Sequence, residues 1–161
     1  MATFTPFLWY SKEAEEAANF YASIFPDSRV DRVYTMPADS PSGPPGSVSV
    51  VEFTVLGRPL QAMSAGPHDP FNHAISFVVT CDTQAEIDKY WDALLVGGRP
   101  EACGWLTDRY GLSWQIVPKV MFELMSDPDR EKAKRASEAM LNMVKFDIAE
   151  LKRAAGAKAA V

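Results

Sequence analysis

The sequence predicts an α+β domain made of two successive strand–helix–strand units and a C-terminal helical tail. The order of one strand, one helix and further strands occurs twice at similar length, over residues 4–65 and 73–118. A proline-containing connection at residues 66–72 separates the two units. With 161 residues, 47% of them hydrophobic, the chain can bury a core without disulfide or metal support.

The first unit opens with an aromatic run at residues 4–10 that has high strand propensity. Residues 12–25 carry apolar side chains at helical spacing, and Ser11 is the predicted N-cap of this helix. Three further strands are predicted, at residues 29–36, 47–56 and 59–64. Residues 37–46 hold four prolines and two glycines, so we expect a loop between the first two of these strands.

The second unit repeats this order. An apolar strand is predicted at residues 73–81, and Thr83 with Glu86 forms a capping-box pattern that starts a helix. Gly97-Gly98 ends that helix. Two further strands are predicted, at residues 99–108 and 112–117, on either side of the turn Arg109-Tyr110-Gly111.

The tail from Pro118 onward shows only helical periodicity. Asp127-Pro128 is predicted to be an N-cap and first-turn pair, and an apolar stripe follows it. The stripe consists of Ala133, Ala136, Met140, Met143, Val144 and Ile148. The predicted organisation is therefore one domain at residues 1–118 with an extension at 119–161, whose last residues from about 154 are expected to fray.

Composition excludes several classes of protein. The net charge is −5 and no Lys/Arg run exists outside the tail, which argues against a nucleic-acid partner. No window of about 18 apolar residues is present, so we expect no membrane span. The N-terminal stretch lacks the basic region of a signal peptide, and Cys81 and Cys103 are isolated. We therefore expect a cytoplasmic protein with reduced thiols.

Four segments carry a resemblance to a known family. They are TPFLWYSKEAEEAANFYASIFPDSRV, AISFVVTCDTQAEIDKYWDALLVGG, CGWLTDRYGLSWQIVP and MLNMVKFDIAELKRA. In this order they resemble the PhnB-like branch of the vicinal-oxygen-chelate superfamily, which often bears the label 3-demethylubiquinone-9 3-methyltransferase. The resemblance spans roughly residues 4–150. It implies two βαβββ modules of the glyoxalase/bleomycin-resistance fold around a shared cavity.

The resemblance also implies positions for metal ligands. In glyoxalase-type members, His, Gln or Glu from the first and last strand of each module hold a divalent metal that stabilises developing negative charge. The corresponding positions in this chain fall near Pro6, Gln61, Ile75 and Gln115. Proline and isoleucine have no ligating atom, and two amides make a poor divalent site. We therefore expect no cofactor and disfavour a catalytic metal.

Strand alternation gives the expected lining of the cavity. It places Ser113 on the face of Gln115, Met63 on the face of Gln61, and His73 on the face of Phe77. Leu8 and Trp105 are expected to add apolar surface. The candidate ligand-binding residues are Gln61, Met63, His73, Phe77, Trp105, Ser113 and Gln115.

Each candidate also has an ordinary structural interpretation. His73 follows Asn72 at a predicted strand start and fits a solvent-exposed turn residue, and His68 fits a surface connection. Gln115 fits a hydrogen-bonded pocket residue. Cys103 has no adjacent base that would make it a nucleophile, and Cys81 fits a small core residue.

Three functions remain open from the sequence. The lining suits a module that binds a small apolar or aromatic molecule without a metal. A metal-dependent lyase, isomerase or dioxygenase of the same superfamily is the first alternative. The second is the methyltransferase acting on a ubiquinone precursor that the family label names, although the chain has no glycine-rich G-x-G motif for S-adenosylmethionine. The resemblance and the apolar stripe of the tail also predict a homodimer.

Overall fold

The computed structural model describes residues 1–156, which divide into two compact units, Met1–Pro70 and a second unit from Phe71 onward. The first unit contains one helix and four strands. They are β1 (Phe7–Tyr10), α1 (Ala14–Ile24), β2 (Arg29–Thr35), β3 (Ser49–Val55) and β4 (Arg58–Ser64). The sheet has the order β1-β4-β3-β2, in which β1 runs parallel to β4 and the other neighbours are antiparallel.

Alternation along the strands explains how α1 packs on this sheet. Tyr10 and Phe53 are almost fully buried and lie on the face that receives α1, whose Tyr21 ring stacks on the Phe53 ring. The small residues Ala14, Ala17 and Ala18 are buried on the helix side of this contact, which lets the helix approach the sheet closely.

The predicted cap of α1 is wrong. Glu13 holds the N-cap position without a side-chain hydrogen bond, so Ser11 does not cap the helix. The backbone N–H of Ala14 instead donates to Oγ of Ser64 at 3.0 Å. This partner is distant in sequence, and it is brought near because Tyr10 and Ser64 pair in the parallel ladder of β1 and β4.

The second unit repeats the topology of the first and adds three helices. Its elements are β5 (Phe77–Cys81), α2 (Gln84–Leu95), β6 (Arg99–Pro100), β7 (Trp105–Thr107), β8 (Ser113–Pro118), α3 (Lys119–Met125), α4 (Arg130–Leu141) and α5 (Ile148–Gly156). The sheet order is β5-β8-β7-β6, with β5 parallel to β8. The α+β class and the two βαβββ modules are therefore confirmed. The predicted capping box of Thr83 and Glu86 is also present.

Two predicted strands have different bounds in the structure. β5 begins at Phe77, four residues later than expected, because Asn72 accepts the Ala74 N–H in a turn. The predicted strand at residues 99–108 is two short strands, β6 and β7. The chain turns between them at Cys103 and Gly104, whose φ angles are 58° and 77°.

The helical tail belongs to the second unit and packs on α2. The Gln84 amide donates to the Phe146 carbonyl at 2.9 Å and accepts the Ile148 N–H at 2.9 Å. The predicted cap at Asp127 is wrong, since α4 is capped by Asp129, which accepts the Glu131 and Lys132 N–H groups. The expectation of fraying from about residue 154 is wrong for residues 154–156, which belong to α5 and include the buried Ala155. The rest of the segment expected to fray, from residue 157, lies outside the described residues. Within residues 1–156, no helix combines the length and apolar character needed to cross a membrane.

Candidate functional site

Gln61 and Gln115 occupy equivalent positions in the two units. Gln61 lies on β4, where it pairs with Phe7 of β1 and Glu52 of β3. Gln115 lies on β8, where it pairs with Val78 of β5 and Trp105 of β7. In each unit the glutamine thus lies on the strand that is last in chain order, and this strand pairs with the first and third strands of the same unit. Both glutamines lie on strands that the sequence predicted.

The face of the first sheet that carries Gln61 has exposed aromatic side chains on β1. Phe7 and Trp9 of β1 project from this face and are 50% and 40% exposed. Met63 pairs with Trp9 in the ladder and packs on a buried cluster that includes Val50. Gln61 and Met63 therefore share one face, with two exposed aromatic rings beside them.

Two residues of the first unit do not lie where the sequence placed them. Leu8 pairs with Ala62 and is buried on the opposite face, toward α1, so its expected position beside Met63 is wrong. Pro6 precedes β1, and Phe7 is the residue in register with Gln61. The position that should supply a ligand to a metal is therefore phenylalanine, which has no ligating atom either.

The Gln115 face of the second sheet carries Trp105, Val78 and Ser113. Ser113 is buried and pairs with Thr107, and Val78 is half exposed. The Gln115 amide donates to Oγ of Ser76 at 2.8 Å. This hydrogen bond fixes the orientation of the amide.

Phe77 lies on the other face of the second sheet, so the prediction that it joins the Gln115 side is wrong. Phe77 pairs with Trp114 in the ladder, and the two ring centroids are 5.5 Å apart. The error follows from the start of β5, because residues 73–76 are not part of the strand and its alternation cannot be extended back through them.

His73 lies in a crossing segment, residues 71–76, that precedes β5. Ser76 of this segment contacts Gln115 on β8, and the His73 ring lies 6.0 Å from the Trp105 ring on β7. Glu101 directly follows β6, and its Oε2 lies 2.5 Å from Nε2 of His73. The segment therefore passes from the β5 edge of the sheet toward the β6 edge along the Gln115 face.

Glu101 and Thr107 are site residues that sequence reasoning missed. Oγ1 of Thr107 donates to Oε1 of Glu101 at 2.7 Å, and Nε of Arg99 lies 3.5 Å from the same oxygen. The hydrogen bond from Thr107 is the main reason that the pKa of Glu101 lies below its ordinary value, and the bond from His73 lowers it further. Strand alternation counted from Trp105 would have placed Thr107 on the same face of the sheet. Only the turn at Cys103 explains the position of Glu101.

The remaining candidates have structural surroundings. His68 packs against Trp9 in the first unit, with ring centroids 6.4 Å apart. Burial, with Glu86 and Asp82 nearby, raises the pKa of the Cys81 thiol to about 12, so this thiol stays protonated in the core. Cys103 is half-buried in the turn before β7, and its backbone N–H donates to the Met143 carbonyl.

The residues beside the two glutamines do not fit a divalent metal. Gln61 has Phe7 and Glu52 as its neighbours across the sheet, and Gln115 has Val78 and Trp105. Among residues 1–156, no three His, Cys, Asp or Glu side chains are grouped so that they could hold a metal ion. Neither unit, taken by itself, therefore offers the three or four ligands that catalytic metal sites use.

Comparison with known proteins identifies relatives in fold and sequence. The model of the family described as 3-demethylubiquinone-9 3-methyltransferase matches residues 2–117. A PhnB protein from Bacillus cereus with the same description is 30% identical over 73% of this chain and 99% of its own, with a TM-score of 0.62. A protein from Pseudomonas aeruginosa is 21% identical over 73% of this chain and 98% of its own, with a TM-score of 0.55.

More distant similarity concerns the fold alone. The fosfomycin resistance protein FosX from Listeria monocytogenes, complexed with Mn(II) and sulfate, is 14% identical over 70% of this chain and 88% of its own, with a TM-score of 0.50. No curated protein matches the chain significantly. The solved structures agree with the glyoxalase/bleomycin-resistance fold that the sequence resemblance implied.

Proposed function

We propose that this chain, which belongs to the 3-demethylubiquinone-9 3-methyltransferase family, binds a small apolar or aromatic molecule without a catalytic metal. The observation that carries this proposal is the aromatic surface beside each glutamine, which is exposed in the first unit and partly buried in the second. Phe7 and Trp9 flank Gln61 and Met63 in the first unit, and Trp105 flanks Gln115 in the second. Apolar surface with a few fixed polar groups is typical of small-molecule sites.

The polar groups on these faces suit orientation of a ligand. A glutamine amide both donates and accepts hydrogen bonds, so it can contact a carbonyl or a hydroxyl of an aromatic molecule. Ser76 holds the Gln115 amide in place before a ligand arrives, which reduces the entropy lost on binding. Apolar contact supplies most of the affinity, and the amides select the orientation of the ligand.

Ligand binding can be tested by a thermal-shift screen of quinones and aromatic acids, followed by titration of tryptophan fluorescence. We expect a hit that quenches the fluorescence. Truncation of Met63 to alanine should weaken its Kd roughly 5–30-fold, since removal of the apolar contact costs about 1–2 kcal/mol. Leu141→Ala is the matched control, because Leu141 is exposed at the end of α4 and lies on neither sheet. Equal effects of both variants would contradict the proposed face.

The two alternative functions give different results in simple measurements. Stoichiometric Ni, Zn, Mn or Fe in protein purified without chelator would favour a metal-dependent enzyme, as in the FosX complex with Mn(II). Micromolar binding of S-adenosylmethionine by calorimetry would favour the methyl transfer that the family description names. We expect neither metal nor S-adenosylmethionine to bind.

A further inference from the structure

We propose that His73 accepts a proton from a weakly acidic hydroxyl of an aromatic ligand, so that the second unit binds phenols or enols as their anions. The proposal rests on the proposed function and names the chemical class of its ligand. It depends on a group of side chains on the Gln115 face of the second sheet, namely His73, Glu101, Thr107 and Trp105.

The contact with Glu101 fixes which nitrogen of His73 can accept a proton. A carboxylate only accepts hydrogen bonds, so Nε2 of His73, at 2.5 Å from Oε2 of Glu101, carries the hydrogen. Nδ1 of the neutral ring is then left with a free lone pair. Within residues 1–156, no hydrogen-bond partner contacts Nδ1, and the His73 side chain is 55% exposed. A ligand can therefore reach this nitrogen.

The surroundings of Glu101 keep it ionised and in place. Thr107 is buried on β7, and its hydroxyl donates to one carboxylate oxygen while His73 contacts the other. The backbone N–H of Glu101 donates to the Trp105 carbonyl at 2.8 Å, which ties the carboxylate to the turn before β7. An isolated surface ion pair has no such support from a buried hydroxyl. A carboxylate held in this way can keep its hydrogen bond with Nε2 of His73 when Nδ1 gains a proton.

Trp105 supplies the surface for the aromatic ring of the ligand. Its ring centroid lies 6.0 Å from that of His73, with the planes inclined by 55°. Val78 and Gln115 extend the same row across the sheet. An aromatic ring of the ligand that packs on Trp105 can bring its hydroxyl to Nδ1 of His73.

The proton transfer is balanced without another reactant. The O–H bond of the ligand breaks and an N–H bond forms at Nδ1 of His73. The electron pair of the broken bond stays on the ligand oxygen. The resulting anion faces the His73 imidazolium, whose other N–H is paired with Glu101. The positive charge on the ring thus lies between the ligand anion and the Glu101 carboxylate.

The first test compares 4-nitrophenol, whose anion is coloured, with 4-nitroanisole, which has the same ring and no acidic proton. We expect the wild-type protein to bind 4-nitrophenol as the coloured anion at a pH where the free compound is mostly neutral. His73→Gln should abolish this spectral change and weaken 4-nitrophenol binding at least about tenfold. Its affinity for 4-nitroanisole should change less than about twofold. His68→Gln is the matched control, because His68 is the other histidine of the chain and lies in the first unit.

The outcomes of this test separate the two proposals. If both compounds bind and 4-nitrophenol stays neutral, His73 is not a proton acceptor, whereas binding of aromatic molecules is supported. A spectral change that survives His73→Gln would also overturn the role of His73. If neither compound binds at millimolar concentration, both proposals fall.

The second test needs no ligand and examines Glu101 as a positioning residue. Nitrogen NMR of the two imidazole rings should show His73 as the tautomer with hydrogen on Nε2. Glu101→Gln should reduce the preference for this tautomer and lower the fraction of 4-nitrophenol bound as the anion. A hydrogen on Nδ1 of His73 in the wild-type protein would overturn the proposal.

Discussion

At the scale of single residues, Asp108 shows how one buried carboxylate organises a turn. Oδ1 accepts the N–H groups of Tyr110 at 2.8 Å and Leu112 at 3.1 Å, and Oδ2 accepts Nε1 of Trp114 at 2.9 Å. The turn between β7 and β8 and the core ring of Trp114 are therefore tied to the same side chain. Because β8 carries Gln115, this carboxylate also contributes to the position of the candidate site.

Replacement of Asp108 should lower stability to different degrees depending on the substitute. Asp108→Asn keeps an oxygen for the turn and loses the acceptor for Trp114, which costs about 1–3 kcal/mol. Asp108→Ala leaves all three donors without this partner and should cost more. Urea unfolding measures both values. In the background of Trp114→Phe the cost of Asp108→Asn should shrink, and an unchanged cost would contradict the assigned contact.

The sequence predicted which residues share a strand face where the strands are regular. Gln61, Met63, Ser113 and Gln115 lie on the predicted faces because alternation holds within β4 and β8. Glu101 and Phe77 could not be placed in this way. The position of Glu101 depends on the left-handed turn at Cys103, whose N–H contacts the tail, and that of Phe77 depends on a strand that starts late after a turn at Asn72.

At the scale of elements, Gly104 is the point where the tail meets the second sheet. Its φ angle is 77°, and a Cβ at this position would lie 2.3 Å from the Phe146 ring and 2.8 Å from the Ile116 carbonyl. Its N–H donates to the Val144 carbonyl at 2.8 Å. The absence of a side chain lets the tail pack directly on the turn between β6 and β7.

Gly104→Ala should therefore destabilise the protein more than Gly111→Ala. Both glycines have positive φ angles, at 77° and 87°, so both substitutions carry a backbone cost of about 1–2 kcal/mol. A Cβ at Gly111 meets nothing within 4 Å, whereas at Gly104 it forces Phe146 to move, for a further cost of about 1–3 kcal/mol. Chemical denaturation of the two variants measures the difference. Equal destabilisation would contradict the close packing of Phe146 on Gly104.

The contact between the tail and α2 should depend on pH. Nζ of Lys145 lies 2.9 Å from Oδ1 of Asp88, and the hydrogen bond from Lys145, followed by that from Gln84, holds the pKa of Asp88 below its ordinary value. A carboxyl group whose pKa is lowered in the folded state stabilises the fold at a pH above its ordinary pKa. This contribution disappears as the pH falls through the pKa that the group has in the folded state. The pKa of Lys145 is raised, mainly by the same bond, so its contribution persists until the pH exceeds the ordinary lysine value.

Lys145→Met should therefore lower the free energy of unfolding at neutral pH by less than about 1 kcal/mol, and the difference from wild type should shrink near pH 2. Lys134→Met is the control, since Lys134 forms an exposed pair with Glu138 at 3.7 Å within α4. Thermal unfolding across this pH range measures both differences. A larger effect of Lys145→Met in acid than at neutral pH would contradict the stabilising role of the ionised Asp88 carboxylate.

At the scale of the whole molecule, the chain repeats one topology. The sheet orders β1-β4-β3-β2 and β5-β8-β7-β6 correspond strand by strand, and the sequence predicted this repeat from the order and length of its apolar segments. The two units of the chain could be recognised from the sequence because hydrophobic periodicity and turn residues are features of the local sequence. The side chains on corresponding strands differ, as Glu52 and Trp105 do beside the two glutamines, so the repeat does not extend to the chemistry of the faces.

We also predict that the protein forms a homodimer. The tail leaves Phe122 and Val144 exposed, and Val33 and Tyr34 of β2 are also exposed. Apolar side chains of this kind are often covered in a symmetric dimer. Light scattering at tens of micromolar should give about twice the chain mass of 17.8 kDa. A particle with the mass of one chain at this concentration would contradict the prediction.

The closure of every strand pair within its own unit has a consequence for synthesis on the ribosome. The ladder between β1 and β4 can form once residue 64 has left the exit tunnel, before any strand of the second unit is needed. The backbone N–H and C=O groups of β4 that face β1 can thus be paired early. Fewer unpaired strands are then exposed to neighbouring chains.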